Sequence, residues 1–239
     1  MPRVTISIVS HRQNALVNAL LGDLAAHCGK DLLIALTENV PDAVSFATGP
    51  FGDRIQVISN RQPKGFGANH NSAFARCGTP FYCVANPDIR LSADPFPALL
   101  DPLRGERPGV AGPLVRGPTG NVEDSARRFP TLASLLCKVA AAPSGPEYPV
   151  DQGPVEVDWM AGMFMLFSSQ AYRSIGGFDE RYFLYYEDAD ICRRLHAGGK
   201  AVVFQPLAEV RHDARRGSHV DPRLAIHHLA SAARFLSKR

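Results

Sequence analysis

In its first third the chain alternates short apolar runs with amphipathic stretches. Val4–Ser10 is short and β-rich, Leu32–Thr37 is a continuous apolar run, and Ile55–Ser59 and Phe81–Ala85 read the same way. Runs of that length without helical spacing mark strands buried on both faces. Between them, Gln13–Ala26 carries Leu16, Leu20 and Leu24 four residues apart, and Phe66–Ala75 follows a Pro63/Gly65 turn, so both are expected helices. Strand–helix alternation predicts an α/β fold with a mostly parallel sheet flanked by helices. Ligands of such sheets bind beyond the carboxyl ends of the strands, which is where Asn86–Pro87–Asp88 falls.

The second half is more irregular. It offers a strand at Val110–Val115, a hairpin turn at Gly117–Pro118–Thr119–Gly120 and a Pro/Gly-rich loop over 143–154. Strands are expected at Val155–Trp159 and Met163–Ser168, and a helix at Glu187–Ala197, ended by Gly198–Gly199. Ala201–Phe204 and Glu209–Arg211 read as two short closing strands. Asp221–Pro222 caps a last helix whose Ile226, Leu229, Ala233 and Leu236 form one apolar stripe. The expectation is one domain, with a first lobe over 1–115, a second over 116–220 and a basic helix over 221–239.

At 239 residues, 45% of them hydrophobic, the chain can bury a large core. It has no run of eighteen apolar residues and its start lacks the order of a signal peptide, so the expected location is the cytoplasm. Five cysteines without a CxxC pair read as reduced thiols rather than a zinc site. The net charge of +3 hides an asymmetry: from Arg211 onward seven Lys/Arg face two Asp, which is +5, leaving −2 for the first 210 residues. Such a tail suits peripheral contact with an anionic membrane or a phosphate-rich partner, and equally a solvated end. No aromatic-interleaved basic patch points to nucleic acid.

Two places carry chemistry. Gly176–Gly177–Phe178–Asp179–Glu180 through Asp190 sets carboxylates among aromatics and ends where a helix begins. On that helix Asp188 shares the inward face with Ile191, Cys192 and Leu195, while Asp190 points elsewhere and can pair with Arg194. Burial would raise the Asp188 pKa and the helix N-terminus would lower it. The other place is Asp88, an isolated carboxylate after an apolar strand, suited to a hard divalent cation. Either acid also has a plainer reading, as a turn residue or as a partner of the helix dipole.

Read in order, the pieces resemble an inverting family 2 glycosyltransferase of the GT-A, Rossmann-like fold, in its bacterial rhamnosyltransferase-like branch. They are Val9–Ser10, Glu38–Asn39, Asn60 with Gly65 through Asn71, Asn86–Pro87–Asp88, Ser125 through Thr131, Val157 through Gly162, Gly176 through Asp190, and His212. The resemblance spans roughly residues 4–239 and implies the following roles. Asp188, beside Glu187, is the catalytic base. Asp88 and His212 hold Mg²⁺ or Mn²⁺ on the donor diphosphate, with Asn86 in place of the family's first aspartate. Ser10, Glu38, Asn39, Gly67 and Asn71 line the nucleotide-sugar site. Trp159, Asp158 and Arg128 meet the acceptor. The implied donor is a dTDP- or UDP-linked sugar, dTDP-rhamnose first, and the implied acceptor a cell-surface polysaccharide or lipid-linked saccharide. Glu38, where relatives carry aspartate, and Asn86 keep open a non-catalytic nucleotide- or sugar-binding module on the same fold. A nucleotidyltransferase fits less well, because Val9–Ser10–His11–Arg12 has no glycine-rich phosphate loop.

Overall fold

The computed structural model describes residues 3–131, 145–213 and 222–238. A nine-stranded mixed sheet forms its centre, in the order β3-β2-β1-β4-β10-β6-β11-β5, with β8 also paired to β11. β1 (Val4–His11), β2 (Leu32–Val40), β3 (Ile55–Ser59) and β4 (Phe81–Ala85) pair in parallel, as expected. β3, expected to be buried on both faces, lies instead at the sheet edge, where only Ile58 is buried, against Ala35 and Ala73. β10 (Phe164–Ser168) then enters antiparallel between β4 and β6 (Val110–Arg116), and β6 pairs in parallel with β11 (Val202–His212). β5 (Ile89–Arg90) and β8 (Val155–Glu156) pair antiparallel with β11.

Side chains alternate across this sheet with the period of two that strands impose. From β4, Cys83 and Ala85 join the core under α1 (Asn14–His27) and α3 (Phe96–Leu100). Tyr82 and Val84 join the opposite core, with residues of α4 (Ser169–Ser174) and α5 (Glu187–Ala197). β10 divides likewise, Phe164 and Leu166 to one side, Met165 and Phe167 to the other. Helices therefore cover both faces, and α2 (Phe66–Phe74) lies against β1 and β2.

Four local features depart from the expectations or add to them. Val155–Trp159 is not one strand: β8 stops at Glu156, and Trp159–Met160 (β9) pairs with Ala126–Arg127 (β7) in a separate two-stranded ribbon. The two closing strands are one strand, β11, whose register shifts between Gln205 and Glu209, so Pro206 sits in a bulge where its missing N–H breaks no ladder bond. α3 and α4 are too short, at five and six residues, to show a period; Ser168 caps α4 by accepting the Ala171 N–H at 3.4 Å.

The fourth is α6 (Pro222–Ser237). Its apolar stripe is largely outward: Ile226 and Leu229 are 65% and 70% exposed, while Ser231, Ala232 and Phe235 face the protein. The hydroxyl of Ser231 donates to Leu184 O, which favours that phase over the purely apolar one. The Asp221 cap and Cys137 lie outside the described residues. The other four cysteines are unpaired, and Cys28, Cys83 and Cys192 are buried.

Candidate active site

Two carboxylates stand near the carboxyl ends of the central strands. β4 runs into Asn86, whose N–H donates to Met163 O at 2.9 Å. Pro87 and β5 then carry the chain alongside the end of β11, where Ile89 pairs with His212 and the Asp213 N–H donates to Asp88 O at 2.8 Å. Asp88 Oδ2 thereby lies 3.3 Å from His212 Nε2, and Glu123 Oε2 lies 2.8 Å from His212 Nδ1 on the other side of the ring. Burial pulls the His212 pKa down, but the hydrogen bonds and charges of Asp88 and Glu123 outweigh it and hold the imidazole up to about 9.

Asp88 Oδ1 is buried and has no hydrogen-bond partner among the described residues. An orphaned carboxylate oxygen beside an imidazole nitrogen suits a divalent cation. The 3.3 Å between Oδ2 and Nε2 is close to the ~3 Å between adjacent ligands of an octahedral ion. Among the described residues no group of three His, Cys, Asp or Glu converges as a metal cage. Two protein ligands plus phosphate oxygens and water is the ordinary arrangement for such an ion on a diphosphate.

The second carboxylate is built differently. Gly176 and Gly177 take the left-handed conformation at φ 75° and 70°, turning the chain so that Phe178 N–H donates to Asn71 Oδ1 at 3.0 Å. The loop then passes over α2, where Phe66 N–H donates to Phe183 O at 2.9 Å. Tyr185 and Tyr186 follow at φ 71° and 65°, two consecutive left-handed residues without the freedom of glycine. Each such residue costs about 1–3 kcal/mol and persists only where its surroundings over-determine it. α6 provides those surroundings: Ser231 Oγ donates to Leu184 O at 2.9 Å, and His228 packs edge-on against both tyrosines. At the far end of α6, Lys238 Nζ reaches Asp179 at 2.6 Å and Asp190 at 2.5 Å.

α5 starts on the next residue. Asp188 Oδ2 accepts the Gly162 N–H at 2.9 Å and Oδ1 accepts the Ala189 N–H at 2.9 Å. Glu187 is 5% exposed, and its Oε2 has no partner among the described residues. Burial raises both acids. Glu187 goes well above its usual range because the Asp188 charge adds to burial, whereas two backbone N–H groups and the Arg127 charge hold Asp188 back. Of the pair, Asp188 is the one equipped to carry the negative charge, as a base must. Burial thus outweighs the helix terminus at Asp188. One short turn joins the two corners: Gly162 binds Asp188 and Met163 binds Asn86.

Asp190, expected to pair with Arg194, accepts its Nε–H at 2.8 Å and is fully buried. Other predicted residues build the site from behind instead of lining it. Ser10 is buried, with its hydroxyl on Asn14 Oδ1. Asn39 is consumed by the backbone of Lys64 and by Asn60, fixing the loop before α2. Asn71 accepts from Tyr172 and Phe178 and donates to Phe178 O and Glu180. Gly67 lets two elements touch, since a Cβ there would lie 2.6 Å from Phe178 Cβ. The start of α2 is not an open phosphate cradle, because Phe183 O already occupies the Phe66 N–H. Glu38 stays accessible at the end of β2, with Ser59 Oγ 3.3 Å away.

Among the residues expected to meet an acceptor, Trp159 Nε1–H donates to Arg128 O at 2.9 Å, and the Arg127 guanidinium lies 5.2 Å from the indole ring centroid. Asp158 accepts the Phe129 N–H at 2.8 Å and the Tyr148 hydroxyl at 3.2 Å. Arg128 lies over Tyr148, and its N–H donates to Glu147. Two parts of the site escaped the sequence reading. Glu123 stands 89 residues from His212 in no recognisable motif, and the inner face of α6 has too few apolar residues to announce itself.

The mixed sheet, with helices on both faces, is the GT-A fold of glycosyltransferases, which the solved structures below share. The chain belongs to the glycosyltransferase-like family 2, whose model matches residues 2–224. It is 38% identical over 168 residues to the N-acetylglucosaminyl-diphospho-decaprenol L-rhamnosyltransferase of Mycobacterium tuberculosis, covering 65% of this chain and 54% of that protein. It thus matches about half the length of that relative. Rhamnosyltransferase WbbL of Escherichia coli K12 is 28% identical over 187 residues, 73% of this chain and 71% of its own. Among solved structures, GalNAc-T7 with UDP, GalNAc and Mn²⁺ matches at TM-score 0.69 and 13% identity, over 92% of this chain and 45% of its own. The mannosyltransferase PcManGT of Pyrobaculum calidifontis, with GDP-Man and Mn²⁺, matches at 0.62 and 16%, over 98% and 64%. Among the described residues no helix is long and apolar enough to cross a membrane.

Proposed function

We propose that this chain transfers a sugar from a nucleoside diphosphate donor to a hydroxyl of a lipid-linked saccharide, with inversion at the anomeric carbon. The observation that carries the reading is the pairing of Asp88 and Asp188 across the Gly162–Met163 turn, one acid poised for a cation and the other for a proton. Asp188 takes the proton of the acceptor hydroxyl, whose oxygen forms the new bond to the anomeric carbon. The bond from that carbon to the diphosphate oxygen breaks on the opposite face, and the nucleoside diphosphate leaves with the electron pair. Asp88 and His212 would hold Mg²⁺ or Mn²⁺, which when bound offsets the charge developing on the departing diphosphate. Arg127 and the Gly162 N–H keep Asp188 ionised before the proton moves. Trp159, Asp158 and Arg128 order the loop beside the base, where the acceptor would enter.

The donor we favour is dTDP-rhamnose and the acceptor a polyprenyl-diphosphate-linked saccharide, by likeness to the mycobacterial relative's stated activity. Outward Ile226 and Leu229 on α6, in a chain whose last 29 residues sum to +5, fit a peripheral seat on an anionic membrane that carries such an acceptor. Calorimetry with dTDP, UDP and GDP, each with and without Mn²⁺, tests the donor site. Metal-dependent binding of one nucleotide is expected, and binding of none would leave only a non-catalytic module. Inclusion of anionic liposomes tests the seat: Ile226→Ser/Leu229→Ser should cut sedimentation with vesicles, and unchanged sedimentation would remove it.

A further inference from the structure

His212 has acids on both ring nitrogens, and only one of those acids belongs to the cation site. β11 places the ring between two neighbours. On one side β5 brings Asp88 to Nε2; on the other, β6 and the turn after it bring Glu123 to Nδ1. That turn is tightly made. Gly117 N–H donates to Asn121 O at 2.8 Å, Arg116 bridges to Val122, and Glu123 N–H returns to Val115 O at 2.8 Å. A Cβ at Gly117 would lie 3.0 Å from Glu123 Oε1, so glycine there leaves the carboxylate room to lie toward the ring. Glu123, His212 and Asp88 are each largely buried, with side chains 23%, 15% and 19% exposed.

We propose that Glu123 is the positioning residue of the cation site. By accepting the Nδ1–H of His212 it fixes the ring and its tautomer, so that the Nε2 lone pair is offered to the ion beside Asp88. This inference rests on the reading of Asp88 and His212 as metal ligands. A neutral imidazole carries one proton, and whichever nitrogen bears it cannot bind a metal. Without an acceptor at Nδ1, the proton moves to Nε2 and donates to Asp88, the contact already in place at 3.3 Å. That tautomer blocks the histidine and occupies the aspartate together. A carboxylate behind a metal-binding histidine commonly changes metal affinity by 10–100-fold. Asp88 Oδ1, buried and unpartnered, is the second sign that this row of side chains is built for a ligand beyond itself.

The test is Mn²⁺ affinity, by electron paramagnetic resonance at saturating nucleoside diphosphate, for wild type, Glu123→Gln, Glu123→Met, His212→Ala and Glu123→Met/His212→Ala. Methionine keeps the length and removes the acceptor, and should weaken Mn²⁺ about 10–100-fold. Glutamine can still accept through its amide oxygen and should stay within about threefold of wild type. The double variant should match His212→Ala, because Glu123 acts only through that ring. Wild-type affinity in Glu123→Met, or an additive loss in the double variant, overturns the role of Glu123 while sparing the metal reading. Wild-type affinity in His212→Ala overturns both. The wild-type protein gives an independent readout should Glu123→Met not fold. With Mg²⁺ and nucleotide bound, imidazole ¹⁵N spectra should show the proton on Nδ1, and a proton on Nε2 overturns the proposal.

Discussion

The two carboxylate corners differ in how the fold holds them. Asp88 is fixed by paired strands, its backbone tied to Asp213 and its side chain facing a histidine that offsets its charge. Asp188 begins a helix, follows two left-handed tyrosines and shares its surroundings with a second acid that nothing neutralises. The first corner is compensated and waits for positive charge. The second is electrostatically costly, and that cost holds a carboxylate pKa up toward the range where it can accept a proton. Under the proposed transfer the two corners do different work, one toward a cation and one toward a proton.

The largest expected effect separates the corners by assay. Asp188→Asn should lower transfer by about 10²–10⁴-fold, the usual worth of a positioned base, and leave Mn²⁺-dependent nucleotide binding intact. Asp88→Asn should remove the metal dependence of that binding. If both variants fail in binding, or both bind normally, the division of labour is wrong.

A smaller effect tests how the second corner is held. Asp190 lies two residues from the base yet is fully buried among Arg194 at 2.8 Å, Lys238 at 2.5 Å and Arg193 at 3.7 Å. Asp190→Asn leaves Arg193 and Arg194 without their counter-charge and Lys238 with Asp179 alone, and urea unfolding should show a loss of about 3 kcal/mol, at the lower end because the cations are partly solvated. Smaller again, Gly67→Ala forces a Cβ to 2.6 Å from Phe178 and should cost about 1–3 kcal/mol by overpacking. Unchanged stability there would mean α2 and the Gly177 turn are free to separate, and the catalytic loop less firmly held than its contacts imply.

The strands of the parallel half were legible because burial on both faces writes an uninterrupted apolar run, as in Leu32–Leu36 and Phe81–Ala85. The apolar face of α5 was legible from its phase, with Ile191, Cys192 and Leu195 all buried, but not the full burial of Asp190, expected to point elsewhere and drawn in by its ion pairs. What hid was set by contact across long sequence separations. Asn71 and Gly67 are placed at the donor by the family resemblance alone, and tertiary packing sets both against Phe178. The inner face of α6 was not legible because a polar residue, Ser231, occupies it to meet the Leu184 carbonyl, and no count of apolar residues foresees that bond. β11 looked like two strands because Pro206 breaks a period but not, at a bulge, a ladder.

The finest test of the contrast asks what each acid does to stability. Burial and the Asp188 charge raise Glu187 well above its ordinary 4.5, so the folded protein holds a proton that the unfolded chain releases near that value. The mismatch destabilises the fold fully above the raised pKa and vanishes as pH falls to about 4.5. Glu187→Gln should therefore raise the unfolding temperature at pH 8, with the gain narrowing to nothing near pH 4.5. Asp88→Asn should do the reverse in a different window. With its partners, His212 is held at about 9 against an ordinary 6.5, a stabilisation fully present below 6.5 and lost as pH climbs through 9. Removing Asp88 should lower the unfolding temperature of the metal-free protein at pH 6, with the difference fading above pH 9. Gains at both corners would mean that Asp88 is as uncompensated as Glu187; losses at both would mean that Glu187 has found a partner.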